Sequence, residues 1–199
     1  FTDIISDNPL DLGKTHMATH KINLTDKHPT YTKQFPLNLE DFRMIKDNVQ
    51  QWIKIGLIEP ADSSYNSPIF CVKKQNGQLR VVQDSRSVNE GSYDSKYSMK
   101  DIAECIDTIG KEKAKVFSTL DLTSGFWQMA LKKSSRPQTA FSVPGRASFE
   151  WLRTPMGLKG SPASFQRLMD AVLADLANAQ AYIDDILIFS RDYNSHLKH

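Results

Sequence analysis

The chain has 199 residues, of which 40% are hydrophobic and 24% are charged, and its formal net charge is +2. This length and composition are typical of a globular protein with a substantial core, and they exclude a disordered chain. Two distant cysteines do not indicate a disulfide framework or a zinc site, and no apolar stretch is long enough to span a membrane. The mild positive charge neither requires nor excludes a nucleic acid partner.

The first part of the chain gives weak signals. Residues 1–13 show no sustained hydrophobic period, and we expect residues 1–19 to be a poorly ordered lead-in. Phe1 in place of Met is typical of a segment cut from a longer chain. Residues 20–24 alternate and predict a short strand, and the five histidines, which lack a metal-binding pattern, are expected at the solvated surface.

A helix is predicted between Asn38 and Gly56. Asn38 suits an N-cap, Asp41 suits the first turn, and Gly56 is a helix stop. The apolar residues at helical spacing define a face that we expect to be buried: Phe42, Ile45, Val49, Trp52 and Ile53. We expect this helix to be structural.

A β-hairpin is predicted over residues 69–84, because two apolar runs flank the turn signal Asn76-Gly77. Three basic residues lie on this hairpin: Lys73, Lys74 and Arg80. Taken alone, such residues can serve merely to protect an edge strand from aggregation.

The polar segment after the hairpin is predicted to be architectural. Asp84 and Arg86 are expected to form an ion pair, because a buried acid needs a partner. Ile102, Ile106 and Ile109 have helical spacing and predict a connecting helix that packs on the neighbouring sheet.

Acidic residues interrupt two strongly apolar runs. Residues 116–122 contain Asp121 near their end, and Asp184 and Asp185 lie inside residues 181–190. The flanking β-branched, aliphatic and aromatic residues favour strands, so the adjacent pair is best placed in a tight hairpin turn. Adjacent carboxylates stay ionised most easily beside a cation, which indicates a divalent metal with oxygen ligands. Alternatively, each acid caps a turn, where Asp is common.

Two elements are predicted between these acidic positions. Residues 140–152 form a hairpin around the turn Pro144-Gly145. Ser161 and Pro162 suit the start of a helix. Its expected buried stripe contains Phe165, Leu168, Met169, Val172, Leu173 and Leu176.

Several of these segments resemble motifs of one enzyme family. Tyr182-Ile183-Asp184-Asp185 resembles the Tyr-x-Asp-Asp box of reverse transcriptases, and residues 117–128 resemble the first catalytic motif of that family. Residues 84–89 and 153–163 are similar to its Asp-x-Arg-x-x-Asn and Pro-x-Gly-x-x-x-(Ser/Ala)-Pro segments. The resemblance is to gypsy-type LTR retrotransposons, covers nearly the whole chain, and keeps the family's motif order.

The resemblance implies an α+β fold, the fingers and palm of a right-hand polymerase, with an antiparallel palm sheet packed on helices. It implies fingers at about residues 20–90 and 127–155, interleaved with palm at about residues 91–126 and 156–199. The thumb, connection and ribonuclease H parts would be other regions of the same polyprotein. The expected location is the cytoplasm, within virus-like particles, and the oligomeric state, including a dimer, is left open.

The implied activity is that of an RNA-directed DNA polymerase, which copies RNA or DNA by attack of a primer 3′-hydroxyl on a dNTP. Asp121, Asp184 and Asp185, with the Leu122 backbone, would bind two Mg²⁺ ions, with Mn²⁺ as a substitute. The implied nucleotide-binding residues are Lys73, Lys74, Arg80, Ser124, Gly125, Phe126, Met156 and Gly157. Those near the primer and template are Tyr182, Ile183 and Pro162.

Some of these residues have more specific implied roles. Phe126 would be a steric gate against a 2′-hydroxyl, although on sequence alone it could be an ordinary core aromatic. Arg80 and one of Lys73 and Lys74 would hold the triphosphate, and the resemblance does not choose between the two lysines. Met156 departs from the family, because retroviral enzymes often have Gln there, and Met removes a hydrogen-bond donor.

Two other functions compete with polymerisation. A two-metal nuclease also needs clustered carboxylates, but the basic hairpin and Phe126 suit a nucleotide better than strand cleavage. A catalytically silent nucleic-acid-binding or assembly fragment is the other alternative, because a chain without a thumb has less surface to grip a duplex.

Overall fold

In the computed structural model, the described residues are 4–6, 8, 10–26, 28–93, 96–98, 101–145 and 147–199, with Ile102 described by its backbone alone. The very start of the predicted lead-in and the Ile102 side chain lie outside this description. Among the described helices, none is both long enough and apolar enough to cross a membrane.

Ten strands and six α-helices are interspersed along the described part of the chain. The strands are β1 Thr15–His20, β2 Ile58–Pro60, β3 Ile69–Lys73, β4 Leu79–Gln83, β5 Val116–Asp121, β6 Met129–Leu131, β7 Phe141–Ser142, β8 Ser148–Trp151, β9 Ala179–Tyr182 and β10 Asp185–Ser190. The α-helices are α1 Leu39–Lys54, α2 Arg86–Glu90, α3 Ile102–Lys111, α4 Gly125–Gln128, α5 Ser161–Val172 and α6 Tyr193–His196. Short 3₁₀ turns cover Lys133–Ser135 and Pro137–Thr139.

The chain divides into two structural units. Unit 1 comprises residues 1–9, 95–125 and 162–199, and unit 2 comprises residues 10–94 and 126–161. Both units mix helices with antiparallel sheets, as expected for an α+β fold. The functional division into fingers and palm stays a prediction.

Unit 1 is built on an antiparallel sheet with the strand order β5-β10-β9. Strands β9 and β10 form a hairpin in which Tyr182 pairs with Asp185, so that Ile183 and Asp184 make a two-residue turn. Strand β10 also pairs with β5 along its whole length. The two predicted strands and the tight turn between β9 and β10 are therefore confirmed, but only Asp184 of the acidic pair lies in the turn, because Asp185 already begins β10.

Helix α5 is shorter than predicted. It buries Phe165, Leu168 and Met169, but Val172 is 46% exposed and Leu176 is 52% exposed. The chain turns after Val172 to reach β9, through a turn in which the Leu176 N–H donates to the Leu173 carbonyl. The predicted start is also altered, because α5 begins at Ser161 itself and the buried Ser161 hydroxyl has no hydrogen-bond partner.

Helix α3 confirms the predicted connecting helix but not its packing. The Asp101 side chain accepts from the Ala103 N–H at 3.1 Å and caps the helix. Ile106, which was expected to pack on the sheet, is 62% exposed. Helical spacing defines an apolar face, but it does not supply a surface for that face to contact.

Unit 2 contains the main hydrophobic core. Rings of three tryptophans meet there, with centroid distances of 4.9 Å between Trp52 and Trp151 and 5.9 Å between Trp127 and Trp151. The buried members of this core are Ile22, Ile45, Val49, Trp52, Leu57, Ile58, Ile69, Val88, Leu131, Phe141, Val143, Phe149, Trp151 and Leu158.

Helix α1 follows the prediction closely. The Asn38 side chain accepts from the Asp41 N–H at 2.8 Å. At the other end Gly56 has φ of +69°, and the Leu57 N–H donates to the Trp52 carbonyl at 2.8 Å, which is a Schellman termination. Ile53 is the exception, because it is 41% exposed at the edge of the apolar stripe.

The first strand lies earlier than predicted. Strand β1 covers Thr15–His20 and pairs in parallel with β6, so part of the expected lead-in is ordered. The predicted strand at residues 20–24 is wrong, because the Ile22 N–H donates to the Ser135 hydroxyl at 3.1 Å instead of to a neighbouring strand. Pairing with a distant strand decided this element, and local alternation does not reveal such pairing.

Two histidines are not at the solvated surface. His20 is 2% exposed, and its burial lowers its pKa to about 4. His196 is half-buried and hydrogen-bonded to the hydroxyls of Ser118 and Ser190 at 2.8 and 2.9 Å. The prediction of surface histidines is therefore wrong at these two positions.

The two predicted hairpins of unit 2 are confirmed. Strands β3 and β4 pair from Ile69 with Gln83 to Lys73 with Leu79. In their loop, the Gly77 N–H donates to the Lys74 carbonyl at 2.9 Å and Gly77 has φ of +81°, a conformation that glycine adopts without strain. Strands β7 and β8 form the other hairpin, and Gly145 lies in its turn with φ of +69°.

Candidate active site

The predicted catalytic acids meet at one end of the sheet in unit 1. Asp121 ends β5 and lies directly opposite Asp185, which begins β10, and Asp185 lies opposite Tyr182 of β9. Residues opposite one another in antiparallel strands share a face, with Cβ atoms about 4.5–5.5 Å apart. Asp121, Asp185 and Tyr182 therefore form a row across three strands, and all three are exposed.

Asp184 lies beside this row in the β9–β10 turn and is half-buried. Its backbone carbonyl accepts from the Leu122 N–H at 3.1 Å, which ties the turn to the residue after Asp121. The Leu122 carbonyl accepts from the Gly125 N–H at 3.2 Å. A carbonyl oxygen has two lone pairs, so the predicted metal contact through the Leu122 backbone is compatible with this bond.

These residues fit a hard divalent cation by their donor chemistry, because carboxylate and carbonyl oxygens are the ligands that Mg²⁺ prefers. In their present rotamers, no three His, Cys, Asp or Glu side chains among the described residues are grouped to hold a metal ion. Asp121 and Asp185 are exposed, so their side chains can turn toward an ion without disturbing a packed core. Metal binding would therefore require a rotamer adjustment.

Backbone strain occurs next to these acids. Ile183 has φ of +58° and Ser124 has φ of +49°, in the left-handed region that residues other than glycine rarely adopt. Lys113, with φ of +52°, is a further example in unit 1. For a β-branched residue such as Ile183 this conformation costs about 1–3 kcal/mol, and such strain is typical of functional sites.

Gly125 allows the turn after Asp121 to approach the β9–β10 hairpin. A Cβ atom at Gly125 would lie 2.9 Å from Cζ of Phe165 and 3.4 Å from Cβ of Asp184. Only glycine fits this approach without a shift. Gly125 is one of the predicted nucleotide-binding residues, but its N–H is bonded to the Leu122 carbonyl, so a contact of this N–H with a phosphate would require sharing that hydrogen bond. Phe126 follows in α4 and is half-buried.

The predicted triphosphate-binding residues lie on the β3–β4 hairpin of unit 2. Arg80 is opposite Val72, and the Lys74 N–H donates to the Gln78 carbonyl at 2.7 Å, which continues the ladder into the loop. Because side chains alternate along a strand, Lys74 shares a face with Arg80. Lys73, opposite Leu79, points to the other face. The register therefore favours Lys74 as the partner of Arg80.

Met156 and Gly157 lie in the loop before α5. The Arg80 guanidinium contacts the Met156 sulfur, which is a weak acceptor. Gly157 has φ of +90°, and its carbonyl accepts from the Asn89 side chain at 2.8 Å. Asn89 also accepts from the Lys159 N–H at 2.8 Å, so one side chain holds both ends of this segment.

The predicted ion pair between Asp84 and Arg86 is confirmed. Two nitrogens of Arg86 donate to the two carboxylate oxygens of Asp84 at 2.7 and 2.9 Å. These hydrogen bonds lower the pKa of Asp84. Arg86 is mostly exposed, so the pair orders the start of α2 and adds little to stability.

One residue near the acids was not predicted from the sequence. Gln166 is 1% exposed, and its amide contacts the backbone of Ala181 and Ile183 on either side of Tyr182. The sequence feature that could have revealed Gln166 is its position as a polar residue on the apolar stripe of α5. Pro162, the remaining predicted primer–template residue, is half-buried in the first turn of α5.

Comparisons with known proteins identify the family of this chain. Residues 72–199 match the family described as "Reverse transcriptase (RNA-dependent DNA polymerase)". The chain is 38% identical over 185 residues to the retrovirus-related Pol polyprotein from transposon opus of Drosophila melanogaster. The matched region covers 89% of this chain and 18% of that polyprotein. It is 36% identical over 192 residues to the corresponding polyprotein of the Drosophila transposon gypsy, covering 92% of this chain and 18% of the polyprotein.

A solved structure gives the same result for the fold. The foamy viral protease-reverse transcriptase in complex with an RNA/DNA hybrid matches with a TM-score of 0.82 and 26% identity, over 98% of this chain and 26% of that chain. The chain thus spans less than a third of that protein and less than a fifth of the transposon polyproteins. The predicted α+β fold and the gypsy-type resemblance are confirmed, and the chain belongs to the reverse transcriptase family.

Proposed function

We propose that this chain is the catalytic core of an RNA-directed DNA polymerase. The observation that carries the proposal is the row of Tyr182, Asp185 and Asp121 across the sheet, with Asp184 in the adjoining turn. Reverse transcriptases generally depend on divalent metal ions. The carboxylates at the end of this sheet have the donor chemistry to meet that requirement.

Asp121, Asp184 and Asp185, with the Leu122 carbonyl, would hold two Mg²⁺ ions. Such a pair supplies stabilisation of the attacking and leaving oxygens during phosphoryl transfer, and Mn²⁺ accepts similar oxygen ligands. The protein itself contributes positioning and electrostatics, because phosphoryl transfer requires little covalent chemistry from side chains.

The residues of the β3–β4 hairpin would bind the incoming dNTP. Arg80 would donate in a fork to phosphate oxygens, and Lys74 would act as a point charge. Phe126 would reject a ribonucleotide by contact with its 2′-hydroxyl. Met156 cannot donate a hydrogen bond to the nucleotide, so its contribution there would be packing and its contact with Arg80.

The proposed partners are a primer–template and the other regions of a Pol polyprotein. The foamy viral relative has been solved with an RNA/DNA hybrid, which supports a similar substrate for this chain. Tyr182, Ile183 and Pro162 would contact the primer and template. The thumb, connection and ribonuclease H regions of the same polyprotein would complete the enzyme, in the cytoplasm within virus-like particles.

Primer extension tests this proposal directly. The chain is incubated with a labelled primer on an RNA template, dNTPs and Mg²⁺, in parallel with Asp184→Asn, and the assay is repeated with rNTPs. We expect extension by the parent with dNTPs only, and none by Asp184→Asn, whose fold is checked by circular dichroism. Retained turnover in Asp184→Asn would remove this acid from the mechanism.

The competing functions give different results in the same assay. A nuclease would shorten the labelled primer or template in the absence of dNTPs. A silent binding fragment would neither extend nor cut, but its affinity for primer–template would fall steeply as salt rises, because phosphate contacts release counterions.

A further inference from the structure

Both polar atoms of the buried Gln166 amide, Nε2 and Oε1, make hydrogen bonds to the backbone of the β9–β10 hairpin. Its Nε2 donates to the Ala181 carbonyl at 2.9 Å and to Asp170 Oδ1 at 3.0 Å. Its Oε1 accepts from the Ile183 N–H at 2.8 Å. The orientation of the amide is fixed by these partners, because the reversed amide would set a donor against an N–H and an acceptor against a carbonyl.

These contacts hold the backbone next to Ile183, which has a strained left-handed conformation. β9 is an edge strand of its sheet, and Gln166 bonds the carbonyl before Tyr182 and the N–H after it, as a neighbouring strand would. Ile183 has φ of +58°, which a β-branched residue keeps only when its surroundings hold it. Asp184 follows immediately, so the direction of its carboxylate depends on the conformation of Ile183.

A second layer of contacts holds Gln166 itself. Asp170 lies one turn further along α5 and accepts from both Gln166 and the Tyr97 hydroxyl. This hydrogen bond raises the pKa of Tyr97. The Arg167 guanidinium lies 5.0 Å from the centre of the Tyr97 ring, which adds a cation–π contact.

We propose that Gln166 is a positioning residue for the catalytic turn, with Asp170 and Tyr97 orienting its amide. Gln166 does not touch the reacting atoms. It fixes the Ile183 backbone in the left-handed conformation and thereby sets the direction of the Asp184 carboxylate, which would hold a metal ion. The link to catalysis rests on the proposed polymerase function, whereas the link to the turn is a property of the fold.

Replacement of the amide by an apolar side chain of similar length isolates its hydrogen bonds. Gln166→Met keeps the buried volume but leaves the Ile183 N–H and the Ala181 carbonyl without this partner. The matched control is Gln180→Met on β9, the same substitution in the same hairpin, because the buried Oε1 of Gln180 has no hydrogen-bond partner. Both variants are compared with the parent by circular dichroism and by NMR.

The first readout does not depend on activity. Hydrogen exchange of the Ile183 amide, followed by NMR, should become at least about tenfold faster in Gln166→Met, as expected for loss of one buried hydrogen bond. In Gln180→Met the rate should stay within about twofold of the parent. Unchanged exchange in Gln166→Met, or an equal increase in both variants, would overturn the proposal.

The second readout links the turn to chemistry. In primer extension, Gln166→Met should lower kcat by about tenfold or more with a smaller change in the KM for dNTP, because the turn aims a metal ligand and does not bind the nucleotide. An equal loss in Gln180→Met would contradict this link. If the parent does not extend primers at all, the proposed function fails, and amide exchange still decides the positioning role.

Asp170 provides a rescue test that does not alter Gln166. Asp170→Asn keeps an oxygen for Gln166 and an amide for the Tyr97 oxygen, so Ile183 exchange and kcat should stay within about threefold of the parent. Asp170→Leu removes both contacts. It should therefore change the Ile183 exchange rate and kcat in the same direction as Gln166→Met. Equal effects of the Asn and Leu variants would show that Asp170 does not orient the amide.

Discussion

The two structural units differ in how they are stabilised. In unit 2, Phe149 and Trp151 of β8 are buried in the main hydrophobic core. In unit 1, Phe117 and Leu120 of β5, the strand that ends at Asp121, are 50% and 53% exposed. Unit 2 is thus stabilised mainly by apolar burial, whereas the end of the β5-β10-β9 sheet is stabilised by strand pairing and side-chain hydrogen bonds.

Apolar burial and hydrogen bonds therefore have different roles in this chain. Burial of apolar surface is non-directional and gives the largest contribution to stability. Hydrogen bonds such as those of Gln166 contribute less, but they fix the direction of a particular backbone segment. The acids therefore lie where individual hydrogen bonds, such as those of Gln166, fix the backbone.

The largest effect is expected in the core of unit 2. Trp52→Ala should lower the free energy of unfolding by about 3–5 kcal/mol, because it removes a buried ring that packs against both Trp127 and Trp151. Ile106→Ala on the exposed face of α3 should change it by about 0.5 kcal/mol or less. Urea titration of both variants checks this contrast, and similar losses in the two would contradict it.

Acid should weaken unit 2 through His20. Its pKa is about 4 in the folded chain and about 6.5 when exposed, so the folded state binds fewer protons between these values. Stability is therefore lost as the pH falls from about 6.5 toward 4, by up to about 3 kcal/mol. The measurement is urea unfolding at pH 7 and pH 4.5 for the parent and His20→Gln. An equally steep pH dependence in His20→Gln would refute the role of His20.

The two lysines of the β3–β4 hairpin should differ in their effect on the KM for dNTP. Lys74→Ala should raise the KM for dNTP about tenfold, since a charge-assisted contact with phosphate is lost. Lys73→Ala should change it less than about twofold, because Lys73 points to the opposite face. Steady-state primer extension with varied dNTP distinguishes them. A larger effect of Lys73→Ala would mean that the register does not determine which lysine binds the triphosphate.

The smallest effect is expected from conservative changes at Ile183. Ile183→Val keeps the β-branched side chain, whereas Ile183→Met is more flexible at χ1, so we expect altered misincorporation or processivity, with the larger change in Met. Single-nucleotide misincorporation assays and product-length distributions provide the test. Three indistinguishable enzymes would show that this side chain does not influence the primer terminus or nucleotide.

The elements that were predicted correctly from the sequence are determined by residues close to them in the chain. Asn38, Gly56 and Gly77 specify a cap, a helix stop and a turn within a few residues. The acidic hairpin was also predictable, because Asp184 and Asp185 interrupt runs that otherwise favour strands.

The features that were mispredicted depend on distant partners. β1 is set by parallel pairing with β6, and His20 is buried although its neighbours are polar. Ile106 has the right spacing for burial but lacks a surface that covers it. Gln166 could be noticed as a polar residue on an apolar stripe, but its contacts with Ala181 and Ile183 require the folded hairpin.

Asp121 of β5 and Asp185 of β10, which pair across the sheet, are proposed to act together in one metal-dependent reaction. Single-turnover primer extension by Asp121→Asn, Asp185→Asn and the double variant tests it, with the exposed Asp175→Asn as a control. We predict that each single variant loses at least about a hundredfold in rate, that the double variant is no slower than either, and that the control is unaffected. Parent-like activity in either single variant, or losses that multiply in the double variant, would contradict the claim.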